Sequence, residues 1–151
     1  MRTIERDVVC ALIFSKDGKL FQAWRDIKNG GVYPGHWAII GGGVEKGEDQ
    51  RTALNREVLE EMGLDISKYS AELIDEAQGE SEKTLKDSLE RVYCKMRFYT
   101  YKVVISDELS ETIKITLNEE HSKYRWSAIS DLKELKMTPP SVELFRKLGY
   151  L

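Results

Sequence analysis

The first strong pattern along the chain is VVCALIF, Val8 to Phe14, a continuous apolar run rich in β-branched residues that predicts a buried strand. Asp17-Gly18 follows as a tight hairpin turn, and KLFQAW, Lys19 to Trp24, predicts the returning strand. Asn29 to Gly35 (NGGVYPG) is turn chemistry. His36 to Ile40 (HWAII) predicts a short strand, and three glycines then lead into a helix that stops at Gly63.

Beyond Gly63 the pattern changes. Ala71 to Ala77 predicts a strand, whereas the polar stretch GESEKTLKDSLER predicts a mobile loop. From Arg91 to Val103 the residues alternate. Val92, Cys94, Met96 and Phe98 fall on one face, and Tyr93, Lys95, Arg97 and Tyr99 on the other, as in a half-buried strand. KYRWSAI predicts another short strand. SDLKEL and PPSVELFRKLGYL predict helices, the last entered through Pro139 and Pro140. No repeat, heptad or linker interrupts the 151 residues, so one domain over 1–151 is expected, of α/β or α+β sandwich class.

The helix before Gly63 carries an unusual charge pattern. At 100° per residue Glu57, Glu60 and Glu61 fall within an arc of about 100°. Leu54, Val58 and Met62 form the neighbouring apolar arc that would hold the helix to the core. Glu57 and Glu61 are like charges at i, i+4, and Glu60 and Glu61 oppose the helix dipole, penalties of a few tenths to ~1 kcal/mol each. The nearest basic residue on the helix is Arg56. A solvated acidic face could tolerate this. Divalent cations would supply the missing positive charge, since hard Mg²⁺ takes oxygen ligands while keeping waters and phosphate oxygens.

Charge narrows the choice of partner. A net charge of -3 gives no global attraction to nucleic acid or anionic membrane, so a phosphorylated substrate would need local cations or a metal. Cys10 and Cys94 sit in apolar runs without metal-ligand spacing and read as buried thiols. With no apolar signal core in MRTIERD, a reducing cytoplasm is the expected location.

From Gly42 to Leu64 the chain reads Gly, five residues, Glu, seven residues, Arg-Glu-apolar-x-Glu-Glu-x-Gly-apolar. The fixed positions are Gly42, Glu48, Arg56, Glu57, Val58, Glu60, Glu61, Gly63 and Leu64. This resembles the signature of the Nudix hydrolases without departure. The resemblance implies a three-layer α/β/α sandwich around a mixed sheet, and hydrolysis of a nucleoside diphosphate linked to another moiety with Mg²⁺ or Mn²⁺. By position, Glu57, Glu60 and Glu61 would be metal ligands, joined by the Gly41 carbonyl. Arg56 would orient the glutamates through charge-assisted hydrogen bonds, and Glu48 would support the loop or metal shell. A general base must reach the attacking water; Glu60 and a glutamate of NEEH are the candidates, Glu120 (six residues before Trp126) preferred over Glu119. His121, His36 and Trp126 read as structural.

GVYPGHWAIIGGGVEKGE, LNEEHSKYRW and the terminal LGYL further resemble the NudI-type nucleoside triphosphatases, a subgroup associated with pyrimidine deoxynucleoside triphosphates. Phosphate contacts are expected from Arg25, Lys95 or Arg97, and base stacking from Tyr33, Trp37 or Tyr93. The alternatives are a Nudix hydrolase of a nucleotide sugar, dihydroneopterin triphosphate or an oxidised nucleotide, and, from another class, a non-catalytic nucleotide-binding module. The expected partner is a small nucleotide rather than a nucleic acid polymer or membrane, with the chain a monomer or homodimer.

Overall fold

The computed structural model describes residues 1–27 and 33–151, so most of the Asn29 to Gly35 turn lies outside the described residues. In chain order the elements are β1 (Arg2–Ser15), β2 (Leu20–Arg25), β3 (His36–Ala38), β4 (Ile40–Gly43), α1 (Gln50–Met62), β5 (Ala71–Thr84), β6 (Arg91–Ile105), β7 (His121–Ser127), a 3₁₀ helix (Ile129–Glu134) and α2 (Pro139–Lys147). The sheet is mixed. β1 runs parallel to β6 along its whole length and antiparallel to both β2 and β4, while β5 extends β6 and β7 pairs with β2.

Alternation along β1 builds two cores. Val9, Ala11 and Ile13 pack with Ala53, Leu54, Val58 and Met62 of α1, whereas Leu12 and Phe14 pack with Leu144 and Phe145 of α2 and Leu132 of the 3₁₀ helix. One helix therefore covers each face, giving three layers and the expected α+β sandwich.

The buried run at Val8 to Phe14 is only the middle of β1, which begins at Arg2 on its ladder with β6. The single strand expected over His36 to Ile40 is two. β3 pairs with β2 and β4 with β1, the chain changing partner at Ile39. The glycines expected to lead into the helix, Gly41 to Gly43, lie within β4. The stretch expected to be a mobile loop is largely ordered: β5 continues to Thr84, paired residue by residue with β6 down to Thr84↔Arg91. Its side chains are polar on both faces, so no alternation marks it. A ladder requires backbone donors and acceptors, and cross-strand pairs such as Arg91–Glu82 at 3.3 Å support it from the surface. SDLKEL forms a 3₁₀ rather than an α-helix.

Cys94 is buried and Cys10 partly so, both as free thiols, and burial pushes the Cys10 thiol up to about 12. No helix among the described residues is long and apolar enough to cross a membrane.

Candidate functional site

The helix α1 starts where Asp49 accepts a hydrogen bond from the Thr52 amide at 2.8 Å, a side-chain cap for an otherwise orphaned donor. It stops at Gly63, whose φ of 70° is the left-handed turn that glycine adopts without strain. Its buried face includes Ala53, Leu54, Val58 and Met62, and Glu61, three residues past Val58, falls on the same face. The helix thus carries one carboxylate into the interior, where Glu61 is 4% exposed. Glu60 points outward, with its side chain 55% exposed.

Arg56 ties the loop to the helix. Its Nε and Nη2 donate to the two carboxylate oxygens of Glu48 at 2.8 and 2.9 Å, Nη1 donates to Glu57 at 2.7 Å, and Nη2 also reaches the Gly43 carbonyl at 3.0 Å. A planar guanidinium meets these directions in a way that a point charge cannot. The Glu48 carboxyl is held down at about 2, chiefly by these bonds, and the Arg56 cation is stabilised in return. Glu60 lies at 3.5 Å from Nη1.

Glu61 has weaker compensation. It accepts a hydrogen bond from the Gly41 amide at 3.2 Å. Burial, then the charges of Glu57 and Glu120, push its carboxyl up to about 9. Burial also raises Glu57, against the pull of Arg56. Glu120, from the turn before β7, comes within hydrogen-bonding reach of Glu61. One ligand atom each from Glu61, Glu120 and His121 lie within 4.8 Å of one another.

The fold thus gathers Arg56, Glu57, Glu61 and Glu120 of the expected set, with Gly41 present through its amide and Glu60 at the exposed edge beside Arg56. The others are placed less centrally. Arg25, at the end of β2, stands opposite His121 and acts electrostatically on it. Lys95 and Arg97 share the face of β6 that carries Tyr101 and Val103, the α1 side of the sheet, and Arg97 is engaged by Asp7 at 2.9 Å. Tyr33 meets His36 edge-on, with ring centroids 6.5 Å apart. Of the stacking candidates, Trp37 packs in the α2-side core against Trp24, and Tyr93 donates to Glu80.

His121, which reads as structural in the sequence, sits beside Glu61 and Glu120. The available signal was alternation: in NEEH one residue of an adjacent pair at a strand entrance faces out and the next faces in. Burial and Arg25 hold its imidazole below the ordinary value, toward the neutral form.

Hard oxygen donors around a buried, poorly compensated carboxylate fit a divalent cation. Metal-free protein should register the mismatch as a pH effect. Glu61, raised above its ordinary 4.5, contributes stability that is complete below about 4.5 and is lost as pH rises through about 9. His121, lowered, acts with the opposite sign, but only up to its ordinary 6.5, and Cys10 acts only above 9. Between about pH 7 and 8.5 chelator-treated protein should therefore lose up to about 2 kcal/mol of stability, and Glu61→Gln should flatten the slope. Urea unfolding across that range measures it. An unchanged slope in the variant would show that Glu61 is not the group responsible.

With this geometry in view, known proteins bear on the chain. It matches the NUDIX domain family over residues 4–148. Nucleoside triphosphatase NudI of Escherichia coli (strain K12) is 32% identical over 148 residues, covering 97% of this chain and 99% of that one. Among solved structures, the MutT protein from Methanosarcina mazei Go1 superposes with a TM-score of 0.70 at 20% identity, covering 99% and 96% of the two chains. The E. coli dihydroneopterin triphosphate pyrophosphohydrolase gives 0.67 at 17%, covering 93% and 92%. At such identities the structural likenesses speak to the fold, while the profile match and the NudI similarity extend over nearly the whole sequence. The chain belongs to the Nudix family.

Proposed function

We propose that this protein is a single-domain, Mg²⁺-dependent nucleoside triphosphate pyrophosphatase that takes a nucleoside triphosphate and water to the monophosphate and pyrophosphate. The observation that carries the reading is the convergence of Glu57, Glu61 and Glu120 from a helix and a distant turn, with Arg56 fixing the first. Nudix hydrolases in general use a divalent metal. Here Glu57, Glu60, Glu61 and the Gly41 carbonyl would hold it, with Mn²⁺ an alternative to Mg²⁺. When bound, such an ion supplies charge neutralisation for the phosphates and a more acidic water.

The chain's own residues do the rest. Arg56 keeps Glu57 directed at the site, so that the carboxylate need not be ordered during turnover. The Glu120 carboxylate accepts the proton of the attacking water, with Glu60 or Glu119 as the other acceptors within the same loop and helix. Glu120 suits this because it is exposed enough to exchange protons with solvent and adjoins the buried Glu61. Arg25, Lys95 and Arg97 stand on the α1 side for the outer phosphates, and Tyr33 is exposed for a base. Similarity to the nucleoside triphosphatase NudI supports a nucleoside triphosphate as substrate; pyrimidine deoxynucleotides, cytoplasmic work and a monomer or homodimer complete the reading.

A panel of nucleoside triphosphates, nucleotide sugars and dihydroneopterin triphosphate with Mg²⁺, assayed separately for pyrophosphate and orthophosphate, tests the proposal. Pyrophosphate release greatest with deoxypyrimidine triphosphates is the expected result. Orthophosphate alone, or turnover confined to the other substrates, would replace this substrate assignment; no hydrolysis of any would leave a binding module.

A further inference from the structure

The proposed cation site uses oxygen donors only, and one buried group beside them has no part in it. His121 is 6% exposed at the first position of β7, held by the ladder opposite Arg25 and by the hydrogen bond its amide donates to the Asn118 carbonyl. One of its ring nitrogens belongs to the group of ligand atoms, with oxygens of Glu61 and Glu120, that lie within 4.8 Å of one another. Its Nδ1 is buried and makes no hydrogen bond among the described residues.

A buried ring nitrogen without a hydrogen-bond partner is a cost, and a cation held by Glu61 and Glu120 would engage a lone pair of the same imidazole. A neutral imidazole at either tautomer offers one donor lone pair and is a common ligand for transition metals. Neither carboxylate needs His121 for placement, because Glu61 is set by the helix and Glu120 by the turn.

We propose that His121 is a nitrogen ligand to a divalent cation shared with Glu61 and with one carboxylate oxygen of Glu120, the other oxygen staying available as proton acceptor, making this position a mixed oxygen–nitrogen site that selects Mn²⁺, Co²⁺ or Zn²⁺ over Mg²⁺. The inference rests on the divalent-cation reading of the same glutamates and adds to it the identity of a donor and the class of metal preferred. The chemistry follows from the donor type. Mg²⁺ gains little by exchanging an oxygen for nitrogen, whereas affinity for N/O sites rises from Mn²⁺ toward the later first-row ions, for which imidazole is well suited. A cation held by oxygens alone would keep the ordinary preference of such sites for Mg²⁺.

The test uses the full chain, stripped with chelator and reloaded with one equivalent of Mn²⁺ without nucleotide. Pulsed electron paramagnetic resonance should show a directly coordinated ¹⁴N in the wild type. The coupling should vanish in His121→Phe and in His121→Gln, the second variant serving if the first fails to fold by circular dichroism. Mn²⁺ affinity should fall about tenfold or more in either variant, with Mg²⁺ affinity within about twofold. Bound Mn²⁺ without nitrogen coupling in the wild type, or coupling that persists in the folded variants through His36, overturns the role of His121 while the carboxylate site stands. Failure of the wild type to bind Mn²⁺ or Mg²⁺ at millimolar concentrations overturns both.

Discussion

Glu61→Gln and Glu57→Gln should each lower kcat by about 10³-fold or more, with the fold intact. The expectation follows from where the two carboxylates sit. Glu61 is on the core face of α1 with one amide donor, and Glu57 is fixed by Arg56 at 2.7 Å. Glutamine keeps the volume and one acceptor oxygen of each but removes the charge that would bind a divalent cation. Losing about 4 kcal/mol of charge stabilisation in the transition state corresponds to roughly that factor in rate. Stability moves differently. At neutral pH without metal, Glu61 already carries a proton, so the neutral amide should leave the melting temperature unchanged or raise it slightly. Glu57→Gln leaves Arg56 with its bidentate partner Glu48 and should be nearly silent in melting. Steady-state rates and thermal melts of the two variants decide the matter, and near-normal turnover in either would remove that residue from the site.

Most of the site was legible because it is local. Gly42 to Leu64 is one uninterrupted segment, and helix periodicity alone puts Glu57, Glu60, Glu61 and the apolar arc in their relative positions. What periodicity could not supply was depth. That Glu61 is buried while Glu60 is open depends on how α1 rolls against Val9, Ala11 and Ile13, which is a tertiary fact. Glu120 was reachable only through the family pattern, and His121 was set aside because a single histidine has no spacing to reveal a ligand. The miss at Gly79 to Thr84 has the opposite origin. There the backbone ladder with β6 forms the structure, and neither face is buried enough to leave a hydrophobic trace. The single strand expected over His36 to Ile40 failed because an apolar run carries no mark of which partner each residue pairs with.

The glycines show most clearly how the sheet and the helix were matched. In β4, Gly42 faces α1 and Gly43 faces away. A Cβ on Gly42 would stand 2.3 Å from the Glu57 carboxyl, and one on Gly43 would stand 2.5 Å from the Arg6 guanidinium. Both neighbours are ends of long side chains that can swing aside, so Gly42→Ala and Gly43→Ala should each destabilise only modestly. Their effects on turnover should separate. Glu57 has to leave the position set by Arg56, and misplacing a group of the site by about 1 Å costs about 10²-fold in rate. Arg6 lies on the opposite face of the sheet from the glutamates, and its displacement should change kcat by no more than about twofold. The loss in Gly42→Ala should also appear as weaker divalent-cation binding in the absence of nucleotide, which distinguishes a moved carboxylate from a blocked substrate path. Equal losses in the two variants would mean that β4 itself, rather than the carboxylate it makes room for, sets the activity.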